Sequence, residues 1–116
     1  MNMKYVLGVI TIIIVAILLY LWASTPVEPR EYDEFAKCLT DSGAVMYGTE
    51  WCGHCQNQKA MFGNSFSYVN YVDCDNNKLL CDNAGVEGYP TWRIDANNYP
   101  GEKTLQALSD LSGCSL

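Results

Sequence analysis

The sequence Cys52-Gly53-His54-Cys55 decides the fold of this chain, together with the apolar run Ala44-Val45-Met46-Tyr47-Gly48 shortly before it. The run predicts a short strand, and the cysteine pair predicts a strand-to-helix turn with Cys52 at the helix N-terminus. Unpaired backbone N–H groups and the helix dipole favour a thiolate at such a position. A thiolate beside a second thiol, here Cys55, is what thiol–disulfide exchange requires. We therefore interpret Cys52 and Cys55 as a redox-active disulfide.

The N-terminal segment predicts a membrane span. Residues 5–23 contain no charged side chain, and a helix of that length rises about 28 Å, close to the thickness of the hydrocarbon core. A cleaved signal peptide is the alternative, since Ala23-Ser24 offers small residues for cleavage, but its apolar region is usually only about 7–15 residues long. We divide the chain into an N-terminus at 1–4, an anchor at 5–23, a proline-containing linker at 24–30 and one domain at 31–116.

Charge and cysteine content predict an extracytoplasmic domain, in a periplasm or lumen. Lys4 is the only charged side chain before the apolar segment, which favours a cytoplasmic N-terminus. Six cysteines in so short a chain suit an oxidising compartment. The part after the apolar segment holds all 13 acidic and six of the seven basic residues, a net charge of −7. This charge argues against binding to nucleic acid or to anionic lipid.

Hydrophobic periodicity and turn residues predict one α/β domain. The predicted helices cover 31–41, 52 or 53 to 62, 76–84 and 104–111, and the predicted strands cover 44–48, 66–72, 91–95 and a short stretch near Tyr99, after a turn at 96–98. This order implies a mixed sheet with helices on both faces, whose first two strands are joined by a right-handed crossover.

A second landmark is Tyr89-Pro90-Thr91, at the start of a predicted strand. A proline in this position can simply begin an edge strand. Because only X–Pro bonds adopt the cis form at low cost, we expect instead a cis peptide bond that faces the disulfide. Pro90 also lacks an N–H group, which would leave the neighbouring backbone free to receive a substrate strand.

These motifs resemble the thioredoxin superfamily over residues 31–116. A more detailed similarity is to the thioredoxin-like domain that is fused to bacterial and plant vitamin K epoxide reductase homologues. It covers residues 35–48, Trp51-Cys52, His54-Cys55, Gln58-Lys59, Phe62-Gly63, Tyr71-Val72-Asp73-Cys74 and Tyr89-Pro90-Thr91-Trp92. The chain departs from the fused proteins because a single apolar helix stands in place of the reductase. The resemblance therefore implies a thioredoxin-like α/β fold and a reductase partner on another chain.

The resemblance also implies roles for the motif residues. Cys52 corresponds to the exposed attacking cysteine and Cys55 to the buried resolving one. Gly53-His54 is the dipeptide of protein disulfide isomerase, in which the histidine can stabilise the attacking thiolate and make the disulfide more oxidising. The alternative for His54 is an exposed spacer without effect. Met46 is a departure, because thioredoxin and the isomerase carry there a buried carboxylate that helps to move the proton of the resolving thiol.

Neighbouring residues complete the expected site. Trp51, Tyr89 and Pro90 are expected to form a substrate-docking surface, although ordinary partial burial explains Trp51 equally well. Glu50 lies closer to the cysteines than Met46 does, but we expect it at the surface, which leaves the proton route open.

Four cysteines remain outside the motif. The resemblance implies a structural disulfide between Cys74 and Cys81. Cys38 and Cys114 are a possible second pair, but the two flanking helices usually lie on opposite faces of a thioredoxin sheet, and sequence alone leaves the connectivity open. A zinc site is disfavoured because structural zinc takes four ligands, whereas the chain has one Cys-x-x-Cys and one histidine. We expect no metal and no bound cofactor.

Three functions fit these features. The first is a membrane-tethered thiol–disulfide oxidoreductase that oxidises cysteines of exported proteins and passes the electrons to a quinone-linked membrane partner, which resembles vitamin K epoxide reductase or DsbB. The second is a tethered thiol reductase of the cytochrome-maturation type. The third is a non-enzymatic structural or zinc-binding module. We favour the first, because the Gly53-His54 dipeptide and the helix N-terminus both favour the reduced form of the cysteine pair.

Overall fold

The computed structural model describes residues 1–25 and 30–116. Helix α1, Met3–Ala23, contains Lys4 as its only charged side chain. Its length and composition fit a membrane-spanning helix, and a signal sequence would fit them as well. Most of the predicted linker at 24–30 lies outside the described residues.

The remaining elements form a four-stranded mixed sheet with flanking helices. In chain order they are α2 (Asp33–Asp41), β1 (Val45–Gly48), α3 (Gly53–Phe62), a 3₁₀ helix (Gly63–Tyr68), β2 (Tyr71–Asp73), α4 (Lys78–Asn83), β3 (Thr91–Ile94), β4 (Asn97–Pro100) and α5 (Leu105–Ser112). The strand order is β2-β1-β3-β4. β1 pairs parallel with β2 and antiparallel with β3, and β3 pairs antiparallel with β4. The mixed α/β sheet predicted from the sequence is therefore confirmed.

Side chains of β1 alternate between two hydrophobic cores, as the two-residue period of a strand requires. Met46 belongs to the larger core, where Trp92 and Ile94 of β3 pack against side chains of α2, α3 and α5. Tyr47 points to the other face and packs against the cysteine pair at α4. Helices thus cover both faces, with three on one side and α4 on the other.

The predicted strand at 66–72 is wrong over most of its length. Gly63–Tyr68 forms a 3₁₀ helix, and only the residues after it pair as β2. The Thr40 hydroxyl donates to the Tyr68 carbonyl at 2.6 Å and accepts from the Asn70 N–H at 3.0 Å. Because these backbone groups bond to α2, they are not available to a neighbouring strand.

The predicted turn at 96–98 lies one residue too late in the chain. β3 and β4 are joined by the two-residue turn Asp95 and Ala96, both of which have positive φ, at 49° and 63°. A pair of positive φ values matches the twist of a tight hairpin. Asn98 belongs to β4, and its side-chain amide donates to the Ala84 carbonyl at 2.7 Å. This hydrogen bond connects the hairpin to the end of α4.

Candidate active site

Cys52 and Cys55 lie at the junction between β1 and α3. β1 ends at Gly48, and Cys52 is the N-terminal cap of α3. The Cys55 N–H donates a hydrogen bond to Cys52 Sγ at 3.2 Å. Cys52 keeps 7% of its surface exposed and Cys55 none, and both are free thiols. The expectation of an exposed attacking cysteine is therefore not met, because both thiols are buried in this state; Cys52, which a backbone donor supports, is the less deeply buried of the two.

Burial makes the Cys55 thiol a weak acid. The loss of solvent raises its pKa to about 12, and the hydrogen bond with Cys52 acts in the same direction. In the reduced protein at neutral pH, Cys55 is therefore protonated. Any reaction step that places negative charge on this sulfur needs a stabilising group nearby.

Gly48 allows β1 to approach the buried thiol. A Cβ atom at this position would lie 2.8 Å from Cys55 Sγ and 3.2 Å from Tyr71 Cε2. Only a residue without a Cβ fits this space. The sulfur of Cys55 and the ring edge of Tyr71 consequently flank the same small space next to the strand.

The Tyr89–Pro90 peptide bond is cis and precedes β3. Thr91 pairs with Tyr47, near the end of β1 that leads to the cysteines. The Pro90 carbonyl accepts a hydrogen bond from the Gly101 N–H at 2.7 Å. The structure thus places Pro90 beside the strand end that carries the active-site loop.

Two partly exposed aromatic side chains, Trp51 and Tyr89, pack against each other beside the cysteine motif. Trp51 is 71% exposed, and its ring centroid lies 6.0 Å from that of Tyr89 in an edge-to-face arrangement. The Trp51 indole N–H donates to Asp75 Oδ2 at 2.8 Å, which holds the ring in place. This surface can receive an apolar part of a substrate that reaches Cys52.

His54 forms its polar contact with the loop after β4. Its Nδ1 lies 2.7 Å from Glu102 Oε1, and the same oxygen accepts a hydrogen bond from Asn57 Nδ2 at 3.1 Å. The hydrogen bonds from His54 and Asn57 lower the pKa of the Glu102 carboxyl. Glu102 was not predicted, because 48 residues separate it from His54 and no local pattern marks it.

Gln58 is a second residue that sequence reasoning did not assign to the site. It is fully buried on α3. Its Oε1 accepts from Trp92 Nε1 at 3.1 Å and from the Lys103 N–H at 2.7 Å, and its Nε2 donates to the Lys103 carbonyl at 2.9 Å. One side chain thus fixes the helix of the cysteine motif to β3 and to the loop that carries Glu102. Gln58 lies one helical turn after Cys55, on the face of α3 that continues to the buried Phe62. A polar residue on that face is the sequence signal that could have revealed its role.

Replacing Gln58 with leucine should lower the free energy of unfolding by about 2–3 kcal/mol, because it leaves buried donors and an acceptor without partners. For a domain of this size such a loss lowers the melting temperature by roughly 10–20 °C. Circular dichroism of the full chain in detergent, followed through thermal unfolding, measures the effect. Gln56→Leu on the same helix is the matched control, since Gln56 is exposed and makes one hydrogen bond. Equal melting temperatures for the two variants would contradict the prediction.

The other four cysteines form two disulfides. Cys74–Cys81 joins the loop after β2 to α4, with a Cα–Cα distance of 5.8 Å. Cys38–Cys114 joins α2 to the residues after α5, with a Cα–Cα distance of 5.9 Å. The objection that the flanking helices lie on opposite faces does not apply here, because α2 and α5 contribute to the same core. Neither disulfide belongs to the Cys52–Cys55 motif.

The described residues, 1–25 and 30–116, include all six cysteines and the one histidine of the chain. Within these ranges no group of three or more His, Cys, Asp or Glu side chains is arranged to hold a metal ion.

Comparisons with known proteins give the following matches. The family model described as Thioredoxin matches residues 25–111. Thiol-disulfide oxidoreductase LTO1 of Arabidopsis thaliana is 42% identical over 90 residues, which are 70% of this chain and 24% of that protein. Protein disulfide isomerase-like 2-2 of Oryza sativa subsp. japonica is 33% identical over 85 residues, which are 60% of this chain and 23% of that protein.

The chain spans about a quarter of the length of these curated relatives. Among solved structures, the first thioredoxin domain of mouse protein disulfide-isomerase A4 matches with a TM-score of 0.47 and 17% identity, over 78% of this chain and 85% of that chain.

Proposed function

The chain belongs to the thioredoxin family, and from this premise we propose that it is a membrane-tethered thiol–disulfide oxidoreductase that oxidises cysteines of exported proteins. It would pass the electrons to a quinone-linked membrane partner that resembles vitamin K epoxide reductase or DsbB. The observation that carries the proposal is the pair of free thiols at the N-terminus of α3, in which Cys52 is the helix cap and Cys55 is fully buried. The name of the Arabidopsis relative, a thiol-disulfide oxidoreductase, supports this chemistry.

The proposed oxidation proceeds in two exchange steps. In the oxidised protein, a substrate thiolate attacks Cys52 Sγ, the Cys52–Cys55 bond breaks, and its electron pair stays on Cys55. A second substrate thiolate then attacks the substrate sulfur of the mixed disulfide and releases Cys52 as a thiolate, which leaves an oxidised substrate and a reduced protein. The Cys55 N–H, which bonds to Cys52 Sγ at 3.2 Å, stabilises that released thiolate. The cysteine pair itself carries the two electrons, so these steps need no bound cofactor.

Two features support oxidation as the direction of the reaction. Cys52 is the N-terminal cap of α3, a position in which reactive cysteines of thiol–disulfide oxidoreductases are commonly found. The Gly53-His54 dipeptide is that of protein disulfide isomerase, whose potential of about −180 mV is more oxidising than the −270 mV of thioredoxin. A protein whose reduced form is stabilised gives its disulfide to substrates.

Helix α1 supports the tether, and residues 5–23 are long enough to cross the bilayer. A tether raises the effective concentration of the domain near a second membrane protein. This arrangement suits repeated reoxidation by a separate partner, and the resemblance to a domain that is elsewhere fused to a reductase suggests what that partner is. We propose an extracytoplasmic orientation for the domain, with the N-terminus in the cytoplasm.

A redox titration of the Cys52–Cys55 couple in glutathione buffers tests the proposed direction. We expect a potential nearer to −180 mV than to −270 mV, on the scale set by the isomerase and thioredoxin. In intact cells, the pair should be mainly oxidised and should react with a membrane-impermeant maleimide after brief reduction. A potential near −270 mV with a mainly reduced pair in cells would favour the tethered reductase, and protection of Cys52 until lysis would place the domain in the cytoplasm.

A further inference from the structure

The buried thiol Cys55 carries negative charge in either direction of exchange. It is the leaving group when a substrate thiolate opens the Cys52–Cys55 bond, and it is the attacking group when that bond re-forms from a mixed disulfide. A thiol with a lower pKa leaves faster, whereas burial raises the pKa of Cys55 to about 12. A nearby group must therefore stabilise charge on this sulfur.

The β1 position that could carry a buried acid is apolar in this chain. Met46 is fully buried, and it pairs with Tyr71 of β2 and Trp92 of β3. A thioether holds no charge and has no proton to exchange. The stabilising group must lie elsewhere around Cys55.

Lys59 is the charged side chain placed to supply this stabilisation. It follows Cys55 by one helical turn on α3, so the two side chains share a face of the helix. Its side chain is only 18% exposed, and Nζ lies 4.1 Å from the centre of the Tyr71 ring. That ring adjoins the small space beside Cys55 Sγ. The Lys59 ammonium lowers the pKa of Cys55 and so opposes the larger effect of burial.

The other titratable groups near Cys55 do not cancel the positive charge of Lys59. Glu50 Oε1 lies 3.1 Å from Lys59 Nζ, but the Glu50 side chain is 64% exposed, and solvent weakens its attraction. Tyr71 is neutral because burial raises the pKa of its hydroxyl. In the described part of the chain that hydroxyl has no hydrogen-bond partner. Cys52, on the same helix, is the remaining titratable neighbour.

We propose that Lys59, whose ammonium group lies over the Tyr71 ring, stabilises the Cys55 thiolate during thiol–disulfide exchange. The inference rests on the proposed function of the cysteine pair. No further reactant is needed, because the electron pair of the broken disulfide remains on Cys55 and water supplies the proton that later neutralises it. In this proposal, Lys59 acts through Cys55.

The first arm of the test measures how fast dithiothreitol reduces the oxidised full-length protein in detergent, by acid quenching and mass-shift alkylation. Lys59→Met should slow this reaction by about three- to tenfold at pH 7, because a leaving thiol with a higher pKa leaves more slowly. Lys59→Arg should restore the rate. Lys37→Met is the matched control, because Lys37 also lies over a tyrosine ring, at 4.7 Å from that of Tyr68, and pairs with Glu34 at 3.3 Å.

The second arm measures iodoacetamide modification of Cys55 in a Cys52→Ala background, a rate that follows the thiolate fraction and does not depend on exchange. Lys59→Met should slow it by a similar factor, and Glu50→Gln, which removes the opposing carboxylate at an exposed site, should accelerate it. If Lys59→Met and Lys37→Met give equal rates in both arms, the inference is wrong. If the parent protein does not exchange but the second arm responds, the proposed function fails while the role of Lys59 stands.

Discussion

Cys52→Ala reduces thiol–disulfide exchange by the full chain to the uncatalysed background, whereas Cys55→Ser leaves a single reactive thiol that stays bound to its substrate. The expected difference follows from their positions, since Cys52 keeps 7% of its surface exposed, whereas Cys55 is fully buried. Without Cys55, the Cys52 mixed disulfide cannot be resolved from within the protein. Oxidation of a dithiol peptide measures the first effect, and non-reducing electrophoresis of membrane extracts measures the second.

The controls for the Cys55→Ser experiment, in which the protein stays bound to its substrate, are variants at the same two positions. Cys52→Ala/Cys55→Ser lacks both motif thiols and should form no adduct, while the two structural disulfides remain in place. Mass spectrometry of the Cys55→Ser adducts should find exported proteins and a membrane protein with its own cysteine pair. Adducts that persist in the double variant would show that another cysteine reacts, and the assigned roles of Cys52 and Cys55 would be wrong.

Removal of the Cys38–Cys114 disulfide should cause the largest loss of stability. The two cysteines are 76 residues apart in sequence, and for a loop of that length the chain-entropy relation gives about 4–5 kcal/mol. Such a loss approaches the total stability of many small domains, which is about 5–15 kcal/mol. Cys38→Ala/Cys114→Ala removes the bond without leaving a free thiol. Thermal unfolding of the full chain in detergent, followed by near-UV circular dichroism, should show a fall of roughly 15–30 °C.

The Cys74–Cys81 disulfide provides a comparison for the stabilisation by Cys38–Cys114. Cys74 and Cys81 are 7 residues apart, so the same relation gives only about 2–3 kcal/mol. Cys74→Ala/Cys81→Ala should therefore melt at a temperature between those of the parent and of the Cys38/Cys114 double variant. The reverse order would mean that the unfolded chain keeps structure near its ends, and that loop length does not govern the stabilisation.

Local signals in the sequence were sufficient to predict the helix and the strand on either side of the cysteine motif. The helix that follows Cys52 was predicted to end at residue 62, and α3 ends at Phe62, directly before Gly63, which has a positive φ of +56°. The apolar run before the motif was predicted as a strand, and it forms β1. Both predictions rest on neighbours in the chain, whose chemistry is readable without the tertiary structure.

Contacts between distant residues were the part that could not be predicted. The strand predicted at 66–72 fails because Thr40, far earlier in the chain, takes the hydrogen bonds of its backbone. The buried amide of Gln58 and the carboxylate of Glu102 acquire their roles only when the loop after β4 folds back onto α3. The alternation of apolar and polar residues and the strand propensity of each residue carry no information about such distant partners.

The bond between Cys38 and Cys114 also joins the two ends of the domain covalently. Cys38 lies in α2, the first helix after α1, and Cys114 lies in the residues after α5. A single cut in any loop between them yields two fragments that remain one covalent molecule. If α1 is the anchor, a nicked domain stays at the bilayer surface together with its reactive cysteines, and proteolytic shedding requires either a cut before Cys38 or a reductant.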